Sequence, residues 1–260
     1  MEIIVENNLE KGIINNTLIS EQFNEILNEI SYLNDEIDII FSENIKYLDI
    51  SKLADISIQD KIKTMTFLGL LETPNCFFRK FKNLELVNLP KVLNVLPCTF
   101  VYCDNLKTVN FKEVEQIGYM AFSGCKKLEK ITGLDNLLKI EQNAFNDTGL
   151  KQITIPIKHL PESCFEGCFR LKEVTGSFET IGNNCFRDCS NLKSITNMEL
   201  IKQIGNYAFY NTNLDCISLN NDVVIGNRSF NKCRQLKVSQ KQEYQLVKNG
   251  LECCNLREST

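Results

Sequence analysis

The sequence predicts an α/β-type repeat solenoid, in which short coils of the chain stack on one another and align their strands in parallel. The first observation is a phenylalanine that recurs at intervals of 20 to 23 residues, at Phe78, Phe100, Phe122, Phe145, Phe165, Phe186, Phe209 and Phe230. A period of this length is typical of solenoids, whose repeats bury their apolar faces against neighbouring repeats. The second observation is a strand template after each phenylalanine, and the third is a pair of apolar columns before it.

The strand template begins with a leucine, which follows the repeat phenylalanine by five or six residues. A second apolar residue comes three positions later and often a third two positions after that, as in Leu106, Val109 and Phe111. The spacing L-x-x-L-x-L is typical of a leucine-rich repeat, with short parallel strands on a concave face.

Apolar residues also stand eight and five positions before the repeat phenylalanine, for example Val114 and Ile117 before Phe122. The position after the second of these columns holds glycine or proline in six of the eight repeats. Both residue types favour turns, so the pattern predicts a tight bend there.

The repeat resembles the BspA-type leucine-rich repeat family, whose units read roughly I-G-x-x-A-F-x-x-C-x-x-L-x-x-I. Two segments carry the resemblance most closely, Ile117-Gly118-Tyr119-Met120-Ala121-Phe122-Ser123-Gly124-Cys125 and Ile204-Gly205-Asn206-Tyr207-Ala208-Phe209. It extends over about residues 62–238 and implies an interaction module, with no catalytic residue to carry over. The family includes secreted and surface proteins, from which this chain departs because Met1–Leu9 does not read as an export signal.

Three regions are predicted along the chain. Residues 1–42 are expected to form a helical N-terminal cap, because apolar residues recur at helical spacing after Ser20, at Phe23, Ile26, Leu27, Ile30, Leu33 and Ile37. Residues 43–238 are expected to form the solenoid, with two degenerate strand templates, at 45–56 and 62–70, before about eight regular repeats. Residues 239–260 are expected to form a C-terminal cap or tail.

The composition disfavours several partners. A net charge of −4 and a pI near 5.3 give no overall attraction to nucleic acid. No apolar stretch approaches the roughly 18 residues that span a bilayer. We therefore expect a cytoplasmic protein with another protein as its partner, without nucleic acid, without a small-molecule cofactor and without a stable membrane anchor.

The twelve cysteines fall mostly at repeat positions. Three residues after the repeat phenylalanine the chain has Cys103, Cys125, Cys168, Cys189 and Cys233, but Thr148 and Thr212 in other repeats. A position that accepts both residue types is typical of small buried side chains. The pattern favours packing over a metal site, and it leaves disulfides open because equivalent positions in adjacent coils are about 5 Å apart.

The sequence predicts no enzyme and no catalytic residue. The one histidine, His159, lies at a bend, and the chain has neither a G-x-S-x-G elbow nor a phosphate-binding G-x-x-x-x-G-K-[ST] loop.

The predicted strands leave three columns of side chains pointing outward. One column varies from repeat to repeat and is predicted to bind the partner, through Thr108, Lys130, Gln152, Glu173 and Ser194. A second column is mostly Asn and Thr, which suit an exposed ladder. The third is mostly basic and is interrupted by Glu85, Glu129 and Asp215; its lysines are Lys107, Lys151, Lys172, Lys193 and Lys237. These lysines either steer an acidic partner or keep the sheet from aggregating.

Two alternative functions stay open. The segment Lys107-Thr108-Val109-Asn110-Phe111 resembles the docking motif of regulatory subunits of type-one protein phosphatase, with Lys107, Val109 and Phe111 as the matching residues. In the predicted register Val109 and Phe111 face the core, which disfavours docking. The other alternative is a cell-surface adhesin, which the family resemblance permits.

Overall fold

The structure is a computed structural model, which describes residues 2–5, 17–18, 24–26, 28, 36–49 and 60–237. The chain divides into two compact units, residues 1–136 and residues 137–260. Within each unit most repeats contribute one strand to a first sheet, a short strand to a second sheet, and a turn around the repeat phenylalanine. The predicted repeat solenoid with short parallel strands is therefore confirmed.

The first unit has a sheet of six parallel strands. In spatial order they are β1 (Glu2–Val5), β3 (Ile37–Phe41), β5 (Ile62–Phe67), β7 (Leu86–Leu89), β9 (Thr108–Phe111) and β11 (Lys130–Thr132). Met65 faces Val87 and Val87 faces Val109, while Leu89 faces Phe111. These residues are buried and alternate with partly exposed ones. The strand template read from the sequence is thus correct in these repeats.

The second sheet of the first unit is built from two-residue strands. The strands are β6 (Glu72–Thr73), β8 (Asn94–Val95) and β10 (Gln116–Ile117), which pair in parallel in that order. A separate parallel pair joins β2 (Thr17–Leu18) to β4 (Tyr47–Leu48).

The second unit repeats this arrangement. Its first sheet contains β13 (Gln152–Thr154), β15 (Glu173–Thr175) and β17 (Ser194–Ile195), and a bridge joins Cys216 to Lys237. Its short strands are β12 (Lys139–Ile140), β14 (His159–Leu160), β16 (Thr180–Ile181), β18 (Gln203–Ile204) and β19 (Val224–Ile225). The last four of these pair in parallel in chain order.

The core of each unit contains a stack of phenylalanine rings. In the first unit the ring of Phe100 lies 4.4 Å from that of Phe78 and 4.9 Å from that of Phe122, measured between centroids. In the second unit the stacked rings of Phe145, Phe165, Phe186, Phe209 and Phe230 are separated by 5.3, 5.4, 5.4 and 5.1 Å. All eight rings are buried, as the period predicted.

The turns around these rings carry a further ladder of backbone hydrogen bonds. The residue two positions before the phenylalanine has a positive φ in every repeat, as at Cys98 (58°) and Met120 (52°). In the turn of Phe100, the N–H groups of Cys98, Phe100 and Tyr102 all donate to carbonyls of the following coil, over 2.9, 2.8 and 2.8 Å. The turns thus satisfy their backbone groups between coils, as the strands do.

The sequence predicted glycines at the bends because glycine favours tight turns, but the structure requires them for a different reason. Gly118, Gly182, Gly205 and Gly226 do not have a positive φ. A Cβ atom at Gly182 would lie 2.6 Å from the backbone N of Glu162 and from the backbone carbonyl carbon of Pro161 in the preceding coil. Close approach between coils, rather than an unusual turn conformation, therefore excludes a side chain.

The N-terminal region differs from the sequence-based prediction. The helical cap is not confirmed: residues 24–26 and 28 are helical, but Ile37 lies in β3, and Phe23, Leu27, Ile30 and Leu33 lie outside the described residues. The first degenerate template, at 45–56, lies partly outside the described residues; before it, β3 pairs with β5, so that Ile39 faces Met65 and Phe41 faces Phe67.

The remaining helical structure is short. Two single-turn 3-10 helices span Phe78–Lys80 and Met198–Leu200. The strand β5 lies within the second degenerate template, at 62–70. The predicted C-terminal cap or tail, residues 239–260, lies outside the described residues.

Candidate protein-binding surface

The residues predicted to bind a partner form one column in each unit. In the first unit Thr108 on β9 pairs with Lys130 on β11. In the second unit Gln152, Glu173 and Ser194 stand in register on β13, β15 and β17. Thr108 is half-buried and the other four side chains are exposed. We call these five residues the contact column.

The neighbouring column holds the strands together. In the first unit the amide of Asn88 donates to the hydroxyl of Thr66 over 2.8 Å, and the amide of Asn110 donates to Oδ1 of Asn88 over 2.8 Å. The hydroxyl of Thr132 donates in turn to Oδ1 of Asn110 over 2.9 Å. This polar ladder supports the interpretation that the Asn and Thr column serves the sheet rather than a partner.

Charges in the third column alternate in the first unit. Lys63 forms an ion pair with Glu36, and Nζ of Lys107 lies 2.6 Å from Oε2 of Glu85. The hydrogen bond from Lys107 lowers the pKa of the Glu85 carboxyl, and the bond to Glu36 raises the pKa of the Lys63 ammonium. The predicted basic edge is therefore wrong for Lys107, because its charge is compensated within the sheet.

The same column is uniformly basic over three coils of the second unit. The N–H of Lys172 donates to the carbonyl of Lys151 over 2.8 Å, and the N–H of Lys193 donates to the carbonyl of Lys172 over 2.9 Å. All three side chains are exposed. Within the part of the chain that the structure describes, Lys172 and Lys193 form no ion pair. We call Lys151, Lys172 and Lys193 the lysine column, and it runs directly beside the contact column.

The possible phosphatase-docking motif is not accessible. Val109 is fully buried and Phe111 is 5% exposed. The strand that carries them, β9, is paired with β7 on one side and β11 on the other. An added-strand complex needs a free edge and outward Val and Phe side chains. The hypothesis that Lys107, Val109 and Phe111 dock onto a phosphatase is therefore wrong for the folded chain.

Buried cysteines occupy the turn positions that sequence comparison assigned to packing. The thiols of Cys125, Cys168, Cys189 and Cys233 each donate to the carbonyl of the repeat phenylalanine of the preceding coil, over 3.0 Å. Burial raises the pKa of the Cys103, Cys164 and Cys189 thiols well above their ordinary value. Such thiols stay protonated and unreactive.

The described part of the chain does not bring together side chains that could form a metal site or a catalytic site. No group of three or more His, Cys, Asp or Glu side chains there could hold a metal ion. His159 is exposed, and its Nδ1 lies 3.0 Å from the hydroxyl of Thr180. No described helix is both long enough and apolar enough to cross a bilayer.

Glu179 lies between two lysines. Its carboxylate is 2.8 Å from Nζ of Lys158 and 2.6 Å from Nζ of Lys202. The hydrogen bonds from Lys158 and then from Lys202 lower the pKa of this carboxyl from 4.5 to about 2. Because the folded-state pKa is depressed, the pairs stabilise the fold above about pH 4.5, and this stabilisation is lost as the pH falls toward 2.

This arrangement predicts an unusual titration. We expect the Glu179 carboxyl to titrate near pH 2 when it is followed by NMR in the folded protein at low salt. In the double variant Lys158→Met and Lys202→Met, the midpoint should rise toward 4.5. Salt should raise the wild-type midpoint, since exposed ion pairs are screened. A midpoint near 4.5 in the wild-type protein at low salt would contradict these pairs.

Sequence reasoning missed one surface cluster in the second unit. The guanidinium of Arg187 lies 5.9 Å from the ring centroid of Tyr207 and 5.6 Å from that of Tyr210, and Nζ of Lys232 lies 4.9 Å from the Tyr210 centroid. Arg187 and Tyr210 each follow a repeat phenylalanine by one residue. A comparison of this position between the two adjacent repeats would have predicted that the guanidinium of Arg187 lies near the ring of Tyr210.

Solved structures of several leucine-rich repeat proteins are similar to this chain. A leucine-rich repeat protein of T. pallidum is 27% identical over 64% of this chain and 84% of its own, with a TM-score of 0.55. A leucine-rich repeat protein of Bacteroides ovatus is 22% identical over 65% of this chain and 58% of its own (TM-score 0.48). A leucine-rich cell surface protein of Faecalibacterium prausnitzii is 23% identical over 68% of this chain, which spans 42% of that protein (TM-score 0.46). No curated protein matches the chain.

The family comparison covers more than half of the chain. The model of the BspA type leucine rich repeat region matches residues 95–177 and 158–259, with six copies of the repeat. These ranges contain the turns with buried phenylalanine and cysteine and the paired strands of the second unit. The chain therefore belongs to the BspA-type leucine-rich repeat family.

Proposed function

We propose that the chain is a non-catalytic protein-interaction module, which binds a folded protein partner through the exposed face of its first-sheet strands. The observation that carries this proposal is the contact column. Within each unit its side chains differ in size, charge or hydrogen-bonding capacity, although their backbones repeat. Varied side chains on a regular backbone can match one particular surface, whereas a purely structural column would be uniform, like the polar ladder.

The scaffold beneath this column favours binding. Ile153 and Val174 pack into the core from the same strands that present Gln152 and Glu173. Backbone hydrogen bonds between coils hold these strands in register. A preorganised surface loses little conformational freedom on association, so that more of the interaction energy contributes to affinity.

The lysine column indicates the charge of the partner. At the equivalent strand position in the first unit, acidic and basic residues alternate and form ion pairs, which lowers the repulsion between neighbouring coils. In the second unit Lys172 and Lys193, which form no ion pair in the described part of the chain, stand in adjacent coils about 5 Å apart, which places like charges side by side. An acidic partner surface would compensate them and would be attracted to this face, with a rate that falls as salt is added.

The absence of catalysis is part of this proposal. Proteins of this family and fold are typically non-catalytic, and fold alone does not assign a function. The predicted cytoplasmic location stays a prediction, as does the alternative of a cell-surface adhesin.

Affinity capture from the native cell with quantitative mass spectrometry would test the proposal. The test variant carries Gln152→Ala and Lys172→Ala on the contact and lysine columns. The control variant carries Gln203→Ala, on the short strand β18, and Arg234→Ala, on a turn; both residues are exposed and belong to neither the contact column nor the lysine column. Both variants should unfold at the wild-type midpoint, since all four changes are on the surface.

We expect at least one protein to be captured by the wild type and the control but not by the test variant. Binding of that protein, once purified, should weaken roughly tenfold or more in the test variant if these residues are central to the interface. It should also weaken with added salt. Equal loss in both variants, or full retention by the test variant, would contradict binding through this face.

A further inference from the structure

Two cysteines occupy equivalent positions in adjacent coils of the first unit. Cys76 and Cys98 each stand two residues before a repeat phenylalanine, and their φ angles are 55° and 58°. The short strands that precede them pair in register, with Thr73 opposite Val95, so that Cys76 and Cys98 are neighbours between the coils. Because the two backbones have the same local conformation, their side chains leave the chain in the same direction.

The spacing of these coils is fixed by contacts around the pair. The N–H of Phe78 donates to the carbonyl of Thr99 over 3.0 Å. The buried hydroxyls of Thr73 and Thr99 are 2.9 Å apart, and the Thr99 hydroxyl also contacts the carbonyl of Pro74 over 3.3 Å. Equivalent residues of neighbouring coils are about 5 Å apart, which lies within the roughly 4.4–6.8 Å between Cα atoms that a disulfide spans.

Accessibility separates this pair from the other cysteines in adjacent coils. Cys76 is exposed and Cys98 is half-buried. Three other pairs occupy equivalent positions of adjacent coils but are buried, namely Cys103 with Cys125, Cys164 with Cys185, and Cys168 with Cys189. Burial raises the pKa of the Cys98 thiol, and the charge of Arg79 partly opposes that effect. Thiol exchange requires access to the attacking sulfur, which Cys76 provides.

We propose that Cys76 and Cys98 form a redox modification site, at which a low-molecular-weight disulfide such as glutathione disulfide converts the two thiols into a bridge between adjacent coils. The Cys76 thiol loses its proton, and its sulfur attacks one sulfur of glutathione disulfide. A mixed disulfide forms at Cys76 and one glutathione thiolate leaves. The Cys98 thiol then loses its proton and its sulfur attacks the Cys76 sulfur, which releases the second glutathione.

The exchange is balanced in atoms and electrons. Two protein thiols are oxidised to one disulfide and give up two protons and two electrons. One glutathione disulfide is reduced to two glutathione thiols. The bridge would connect residues 22 positions apart in the sequence and would tie two coils of the first unit together. A reductant such as glutathione reverses it, so its occupancy follows the redox state of the compartment.

The full chain, at low concentration to limit intermolecular exchange, would be incubated with glutathione disulfide, quenched with a thiol-blocking reagent and digested without reduction. Mass spectrometry is expected to find the peptide of Cys76 linked to that of Cys98, with Cys103, Cys125, Cys168 and Cys189 blocked only after unfolding. Thermal unfolding of the oxidised protein should shift to higher temperature, and added reductant should restore the original midpoint.

Two variants test the order of the steps. Cys98→Ser should stop at a glutathione adduct on Cys76, because the resolving thiol is gone. Cys76→Ser should give no bridge and much slower modification of Cys98. The proposal is overturned if the wild type accumulates only the Cys76 adduct, if Cys76 bonds to a different cysteine, or if the buried pairs are oxidised as fast as this one.

Discussion

Replacing Phe165 with alanine is expected to lower the free energy of unfolding by about 3–5 kcal/mol, the usual cost of removing a buried aromatic ring. The Phe165 ring is fully buried. It stacks on Phe145 at 5.3 Å and on Phe186 at 5.4 Å, with interplanar angles of 8° and 2°. Removing it would leave a cavity between two rings that are held in place by their own coils, so the site cannot collapse fully.

Phe169 provides the matched control in the same coil. Its side chain is 53% exposed, so Phe169→Ala should change the free energy of unfolding by no more than about 0.5 kcal/mol. Urea unfolding followed by circular dichroism would measure both variants. If Phe165→Ala were as stable as Phe169→Ala, the stacked phenylalanine core would be incorrect.

Gly205→Ala is expected to destabilise the second unit by about 1–3 kcal/mol, the cost typical of forcing extra atoms into a packed interior. The added Cβ would lie 2.5 Å from the backbone N of Asn183 and 2.6 Å from the carbonyl carbon of Gly182. Neither backbone atom can move away easily, because the N–H of Gly205 donates to the carbonyl of Ile181 over 2.8 Å. The coils would have to separate and weaken that hydrogen bond.

Ser190→Ala is a suitable control, because Ser190 is exposed on a turn of the same unit. It should unfold within about 0.5 kcal/mol of the wild type. A thermal or urea midpoint of Gly205→Ala equal to that of Ser190→Ala would mean that the coils approach each other less closely than the structure shows.

The sequence was informative about the face that each strand residue occupies. Side chains alternate across a strand, so once Val174 is buried, Glu173 must point away from the core. The contact column could therefore be predicted residue by residue. Its exposure and alignment within each unit followed from the repeat, although its partner did not.

The region before the regular repeats shows where such reasoning leaves the strand register open. Isoleucine and leucine are frequent around residues 37–56, so an L-x-x-L-x-L template fits more than one register there. Only the pairing of β3 with β5 selects Ile37–Phe41 as the strand. In that register Leu48 lies on the short strand β4 instead of in the first sheet.

Charge pairing was only partly evident from the sequence. Lys107 and Lys172 both follow a repeat leucine, in a column that Glu85 and Glu129 interrupt next to Lys107. In the folded chain Lys107 reaches Glu85 of the preceding coil, whereas the preceding coil places Lys151 beside Lys172. The side chain that faces a lysine across a sheet depends on strand register, which adjacent residues in the sequence do not encode.

By itself the sequence determined the period, the buried columns and the outward faces, because a repeat that stacks on copies of itself must place its apolar residues at fixed positions. The tertiary structure alone decided how closely neighbouring coils approach each other: the hydrogen-bonding distance between Lys107 and Glu85, the closeness of Gly205 to Asn183, and the exposure of Cys76 beside the half-buried Cys98. These contacts depend on distances of a few ångströms between segments about 22 residues apart. Such distances are set by the packing of the whole coil rather than by any local pattern.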